Sequence, residues 1–85
     1  MIIDYSFKFL KQFKKLPKEV KLKSIEIEKI FRKNPFDPRL KTHKLSGSMK
    51  DYWAFSINYS YRIGFTFVDS DLVKFHAVGT HDIYK

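Results

Sequence analysis

Cysteine is absent from this 85-residue chain. That absence removes a disulfide scaffold, a zinc ribbon and a thiol nucleophile together, and it fits a reducing cytoplasm as the expected location. Glycine is scarce: the three glycines, Gly47, Gly64 and Gly79, lie far apart, so there is no glycine-rich phosphate loop and nucleotide-dependent chemistry is not expected. Neither a GxSxG elbow nor an HEXXH pair occurs. No apolar run approaches the roughly 18 residues that a membrane span needs, and the opening MIIDYSFKFL lacks the basic-then-apolar order of a signal peptide, so a soluble protein with no membrane partner is expected. Acidic residues are also few. Nine Asp and Glu face 17 Lys and Arg, leaving a formal net charge of +8.

Aromatic residues are abundant. Nine Phe, five Tyr and one Trp make up 18% of the chain. A domain this short hides only roughly 60–65% of the surface its unfolded chain exposes, and large rings are an efficient way to gain buried area without a disulfide or a metal. One globular domain over residues 1–85 is expected. The charge is unevenly placed: between Lys8 and Lys33 ten basic residues face Glu19, Glu26 and Glu28, whereas from Leu45 onward four bases meet four acids. The first half therefore carries the field that would attract a polyanion, be it RNA, DNA or an acidic protein.

Periodicity supplies the elements. Ile2–Tyr5 reads as a short strand, and Ser6 stands where a helix N-cap belongs. Phe9, Leu10, Phe13 and Leu16 share one helical face, with Lys8, Lys11 and Lys15 on the other. Pro17 ends that helix and suits the start of the next, where Glu19 complements the dipole. Val20, Ser24, Ile27 and Phe31 then fall on one stripe, with Ile30 beside it, and Pro35 and Pro38 close the helix near Asn34. Phe36 to Lys50 reads as an irregular connection. After it the period changes to two. Trp53, Phe55 and Ile57 point one way in the first strand, Tyr61, Ile63, Phe65 and Phe67 in the second, and Val73, Phe75 and Ala77 in the third, which leaves Lys74, His76 and Val78 outward until Gly79 breaks the run. The order β-α-α-β-β-β predicts an α+β fold, with a two-helix hairpin on one face of a small antiparallel sheet and the other face open.

The three histidines, His43, His76 and His81, have no metal-ligand spacing, so no metal or other cofactor is expected. What remains near the open face and its ends is an arginine, one or two imidazoles and a tyrosine. Those groups suit phosphodiester cleavage without metal: a base for the 2′-hydroxyl, an acid for the 5′-oxygen, and fixed positive charge for the phosphorane oxygens. Histidine has a fitting pKa for the proton transfers, and arginine a forked donor set for the oxygens.

The tail GTHDIYK, the segment KTHKLSGSMKDYWAF, the hairpin NYSYRIGF and the lysine-rich helix pair before them resemble the RelE/ParE superfamily of bacterial toxin–antitoxin toxins over nearly the whole chain. The nearest branch is that of the RelE-like and YafQ-like mRNA interferases, in which a His-x-Leu-x-Gly segment and a closing Gly-Thr-His stretch recur. The resemblance implies a small type II toxin that enters the A site of the small ribosomal subunit and cleaves the bound mRNA, and that a cognate antitoxin holds inactive. It implies Arg62 as a phosphate contact, His81 in acid chemistry or transition-state charge, Tyr84 as a nearby tyrosine and His43 as the loop histidine. Lys8, Lys11, Lys15, Lys18, Lys44 and Lys74 are the expected RNA and ribosome contacts.

The chain also departs from that pattern. Where RelE has two strand lysines it carries Tyr52, Trp53, Ala54 and Phe55, and where YafQ-like enzymes have a histidine and an aspartate it carries Ser56 and Ser60. Two other readings therefore stand beside the nuclease. One is a ParE-like toxin that poisons DNA gyrase without cutting nucleic acid, and the other is an attenuated toxin that only binds its antitoxin.

Overall fold

The computed structural model describes residues 1–47 and 51–84, without the side chains of Asp82 and Tyr84. Strand β1 (Ile2–Tyr5) leads into helices α1 (Phe7–Lys14) and α2 (Lys18–Lys33). A single 3-10 turn (Pro38–Leu40) and a two-residue strand β2 (His43–Lys44) follow, then β3 (Trp53–Ser56), β4 (Arg62–Phe67) and β5 (Leu72–Gly79), and a closing 3-10 turn (His81–Tyr84). The five strands form one sheet in the order β1-β5-β4-β3-β2. β3, β4 and β5 make the expected antiparallel meander. β1 joins it parallel to β5, which makes the sheet mixed, and β2 adds a short antiparallel edge within the segment expected to be irregular. Ser48, Met49 and Lys50 of that segment lie outside the described residues.

Local chemistry accounts for the helix boundaries. The Ser6 side chain accepts the Phe9 amide at 3.0 Å and so satisfies one of the donors that a helix start leaves unpaired. Its hydroxyl also donates to the His76 carbonyl at 2.9 Å, which fastens the start of α1 to β5. Pro17 ends one helix and caps the next, and its carbonyl accepts from Val20 and Lys21 at 3.0 Å. Along α2 the predicted stripe of Val20, Ser24, Ile27 and Phe31 is the buried one. Phe31 is the hub of the core: its ring stacks on Phe55 with centroids 4.7 Å apart and meets Phe65 and Phe75 edge-on. Such contacts add about 0.5–1.5 kcal/mol per pair beyond area burial.

Three expectations need correction. Val78 was expected to face outward but is only 2% exposed and belongs to the core. The cause is a β-bulge: Gly64 pairs with Ala77 but Phe65 pairs with Phe75, so His76 is an extra residue and the alternation changes phase after it. Leu10 was placed on the buried face of α1 but is 52% exposed, on the margin of the stripe that Phe9 and Leu16 bury. Phe67 was placed inside but is 38% exposed and packs with Phe36 and Trp53 at the edge of the core.

Candidate functional site

Register builds the site. Ser56 at the end of β3 pairs with Arg62 at the start of β4, and Arg62 pairs with Gly79 at the end of β5, so three strand termini meet in one row. Beyond the row lie the β3–β4 hairpin and the closing turn. The hairpin is fixed by Asn58, whose Oδ1 accepts from the amides of Ser60 at 2.9 Å and Tyr61 at 2.8 Å. The closing turn sits close against β5: a Cβ added at Gly79 would stand 2.6 Å from Ile83 Cγ2.

Arg62 is half-buried, and its Nε is a buried side-chain nitrogen with no hydrogen-bond partner among the described residues. Leaving such a donor unmet costs about 1–3 kcal/mol, more for a charged group. Two hollows adjoin this guanidinium. One, of about 630 Å³, is lined by Tyr59, Ser60, Arg62, Thr80 and His81. The other, of about 400 Å³, is lined by Ser56, Asn58, Tyr59 and Arg62 together with Arg39 and Lys41. Arg39 is tied to Asp37 at 2.9 Å, and bonds from the Arg39 side chain and amide hold the Asp37 carboxyl down at about 2. Both hollows are within the size range of small-ligand sites.

The expected site residues are only partly together. Arg62 and His81 line one hollow. Tyr84 belongs to the same closing turn as His81, with its side chain outside the described residues, as is that of Asp82. His43 is elsewhere: it pairs with Ala54 on the far side of β3, roughly 7 Å along the strands and about 10 Å across them from Arg62. Its Nδ1 lies 3.1 Å from the Lys41 carbonyl, a hydrogen bond in which Nδ1 carries the proton and the carbonyl accepts.

Lys8, Lys11 and Lys15 line a shallow groove on α1 with Phe7 and Gln12, and the Lys11 ammonium stands 5.6 Å over the Phe7 ring. Lys18 is exposed at the first position of α2. Lys44 stands 5.9 Å over the Trp53 ring, and Lys74 is 4.0 Å from Asp4. On the open face His76 lies 2.8 Å from Thr66 Oγ1 and stacks on Tyr52 at 4.7 Å. Burial pushes its pKa down; Lys74 and Lys8 add to this and Asp4 opposes it.

Sequence reasoning missed Arg39, Lys41 and Tyr59. The first two lie in a connection with no period, and the third lies in a hairpin turn, where tyrosine is common for structural reasons alone; only the assembled rim shows what they border. Among the described residues no three His, Asp or Glu side chains are grouped to hold a metal ion, and no helix is long and apolar enough to cross a membrane.

A helix pair on a mixed sheet makes the chain an α+β protein, and comparison with solved structures shows that its fold is RelE/YafQ-like. YafQ from E. coli strain BL21(DE3) superposes with a TM-score of 0.79 at 24% identity, covering 96% of this chain and 94% of that one. The E. coli DinJ–YafQ toxin–antitoxin complex matches at 0.70 and 27%, covering 94% and 91%, and the YoeB–YefM complex from Staphylococcus aureus at 0.76 and 24%, covering 95% and 97%. No protein-family model matches the sequence. No curated protein sequence matches it either.

Proposed function

We propose that this chain is the toxin of a type II toxin–antitoxin pair and that it acts as a metal-independent endoribonuclease on mRNA held in the ribosomal A site. The observation that carries the reading is the place of Arg62: it lines two hollows at the strand ends, one of which His81 also lines, and its buried Nε has no acceptor among the described residues. A phosphodiester bound in either hollow would meet the side chain of Arg62, which lines both. The 2′-hydroxyl gives up its proton to solvent water as its oxygen attacks the adjacent phosphorus, Arg62 binds the non-bridging oxygens as their charge grows, and His81 gives a proton to the departing 5′-oxygen as the P–O5′ bond breaks. The products are a 2′,3′-cyclic phosphate and a 5′-hydroxyl end. Tyr84 positions the message from the same turn, and His43 is a more distant contact. Ser56 and Ser60 are poor bases, so the rate rests on in-line alignment by the ribosome and on charge, which can each supply several kcal/mol.

The partners follow from charge and surface. The lysines of α1 with Lys18, Lys44 and Lys74 meet RNA backbone, where each neutralised phosphate adds to affinity at low salt. An acidic antitoxin segment suits the apolar groove between α1 and α2, where Phe9, Phe13 and the exposed Leu10 and Ile25 line the walls. Purified protein added to a defined message with and without ribosomes tests the reading. Cleavage only with ribosomes is expected, with rates about 10²- to 10³-fold lower for Arg62→Ala, clearly reduced for His81→Ala and less affected for His43→Ala. An intact message beside arrested growth would favour the gyrase-poisoning alternative.

A further inference from the structure

Tyr59 is the most exposed of the large hydrophobic side chains described, at 96%. An aromatic ring held in water at a hairpin tip contributes little to folding, yet the tip is rigid: Asn58 Oδ1 accepts two amides, and the Ile57 and Asn58 amides donate to the Tyr61 carbonyl at 2.8 and 3.3 Å. The ring is therefore presented on a fixed loop. Among the described residues only Tyr59 and Arg62 line both hollows, and they line them from the same hairpin.

From this geometry we infer that Tyr59 is a base-stacking residue, and that single-stranded RNA crosses from one hollow to the other with a phosphate on Arg62 and a neighbouring base on the Tyr59 ring. Arg39 and Lys41, on the wall of the second hollow, then face the next stretch of phosphate backbone. The inference rests on the assignment of Arg62 as a phosphate contact. Stacking suits a single strand because its bases can splay out, and it tolerates any sequence because every base has a π-face. Duplex RNA keeps its bases stacked on one another and would gain nothing from the ring.

Binding of a labelled oligoadenylate, and of an abasic ribose-phosphate oligomer of equal length, tests the inference at low salt. Tyr59→Ala should weaken oligoadenylate binding about 5- to 100-fold and leave the abasic oligomer within about twofold, while Tyr59→Trp should hold both. Because the ring is exposed, the variants fold as the parent does. Arg62→Ala should weaken both oligomers alike. If Tyr59→Ala binds oligoadenylate as the parent does, or weakens both oligomers equally, the stacking role is overturned and the phosphate assignment stands. If the parent binds neither oligomer, or Arg62→Ala changes neither, the phosphate assignment fails and the stacking role falls with it.

Discussion

At the scale of one residue, the role proposed for Arg62 sets function against stability. A buried guanidinium nitrogen with no acceptor among the described residues penalises the fold. Replacement by an apolar side chain of similar length should therefore leave stability unchanged or raise it by about 1 kcal/mol while abolishing cleavage. Chemical denaturation of Arg62→Met checks this, and a loss above about 2 kcal/mol would make the arginine structural. His76 gives a pH prediction. Its pKa in the folded state lies below the ordinary 6.5 because of burial first and Lys74 next. The unfolded chain therefore takes up the proton first as the pH falls. The stability associated with the neutral ring is complete well above pH 6.5, declines as the pH falls through the window between 6.5 and the folded-state value, and levels off below it. His76→Gln should reduce the difference in unfolding free energy between neutral and mildly acidic solution. An unchanged difference would assign that dependence to other groups.

At the scale of elements, the boundary between legible and illegible follows the range of the interactions. Ser6 and the stripe of Val20, Ser24, Ile27 and Phe31 are visible in the sequence because capping and helical period are local. The bulge at His76 is not, because it depends on how β5 is matched against β4, and that match alone turns Val78 into the core. The short strand β2 escapes notice for the same reason: two residues carry no period, and only the pairing of His43 with Ala54 defines them. Ser6→Ala should cost about 1–2 kcal/mol, since it removes both the cap and the tie to the His76 carbonyl; thermal unfolding reads this, and an unchanged midpoint would contradict it. Gly79 links the sheet to the site. A methyl group there meets Ile83, so Gly79→Ala should displace the turn that carries His81. A stability loss of about 1–3 kcal/mol, with a larger fractional loss of cleavage, is expected. Unimpaired cleavage would mean that the position of the turn does not matter.

For the molecule as a whole, the rim is where topology gathers what the sequence scatters. Arg62 and His81 are 19 positions apart and line one hollow because β4 and β5 run antiparallel with Arg62 opposite Gly79. The fold and this pair could be anticipated from motif order, whereas the other cations of the rim could not, because Arg39 and Lys41 arrive from a turn that packs there only in three dimensions. The basic first half supplies a long-range field, so the proposed association with ribosomes should weaken steeply with added salt, and Lys8, Lys11 and Lys15 changed together to Ala should flatten that slope. Sedimentation with ribosomes over a range of salt measures it. The central claim, that the strand-end rim cuts message by gripping a backbone phosphate through Arg62, is tested most directly by mapping RNA 5′ ends in cells that express the chain without an antitoxin. New ends confined to translated messages, absent in Arg62→Ala at equal protein level, are predicted; growth arrest with messages intact, or the same ends in both strains, would contradict it.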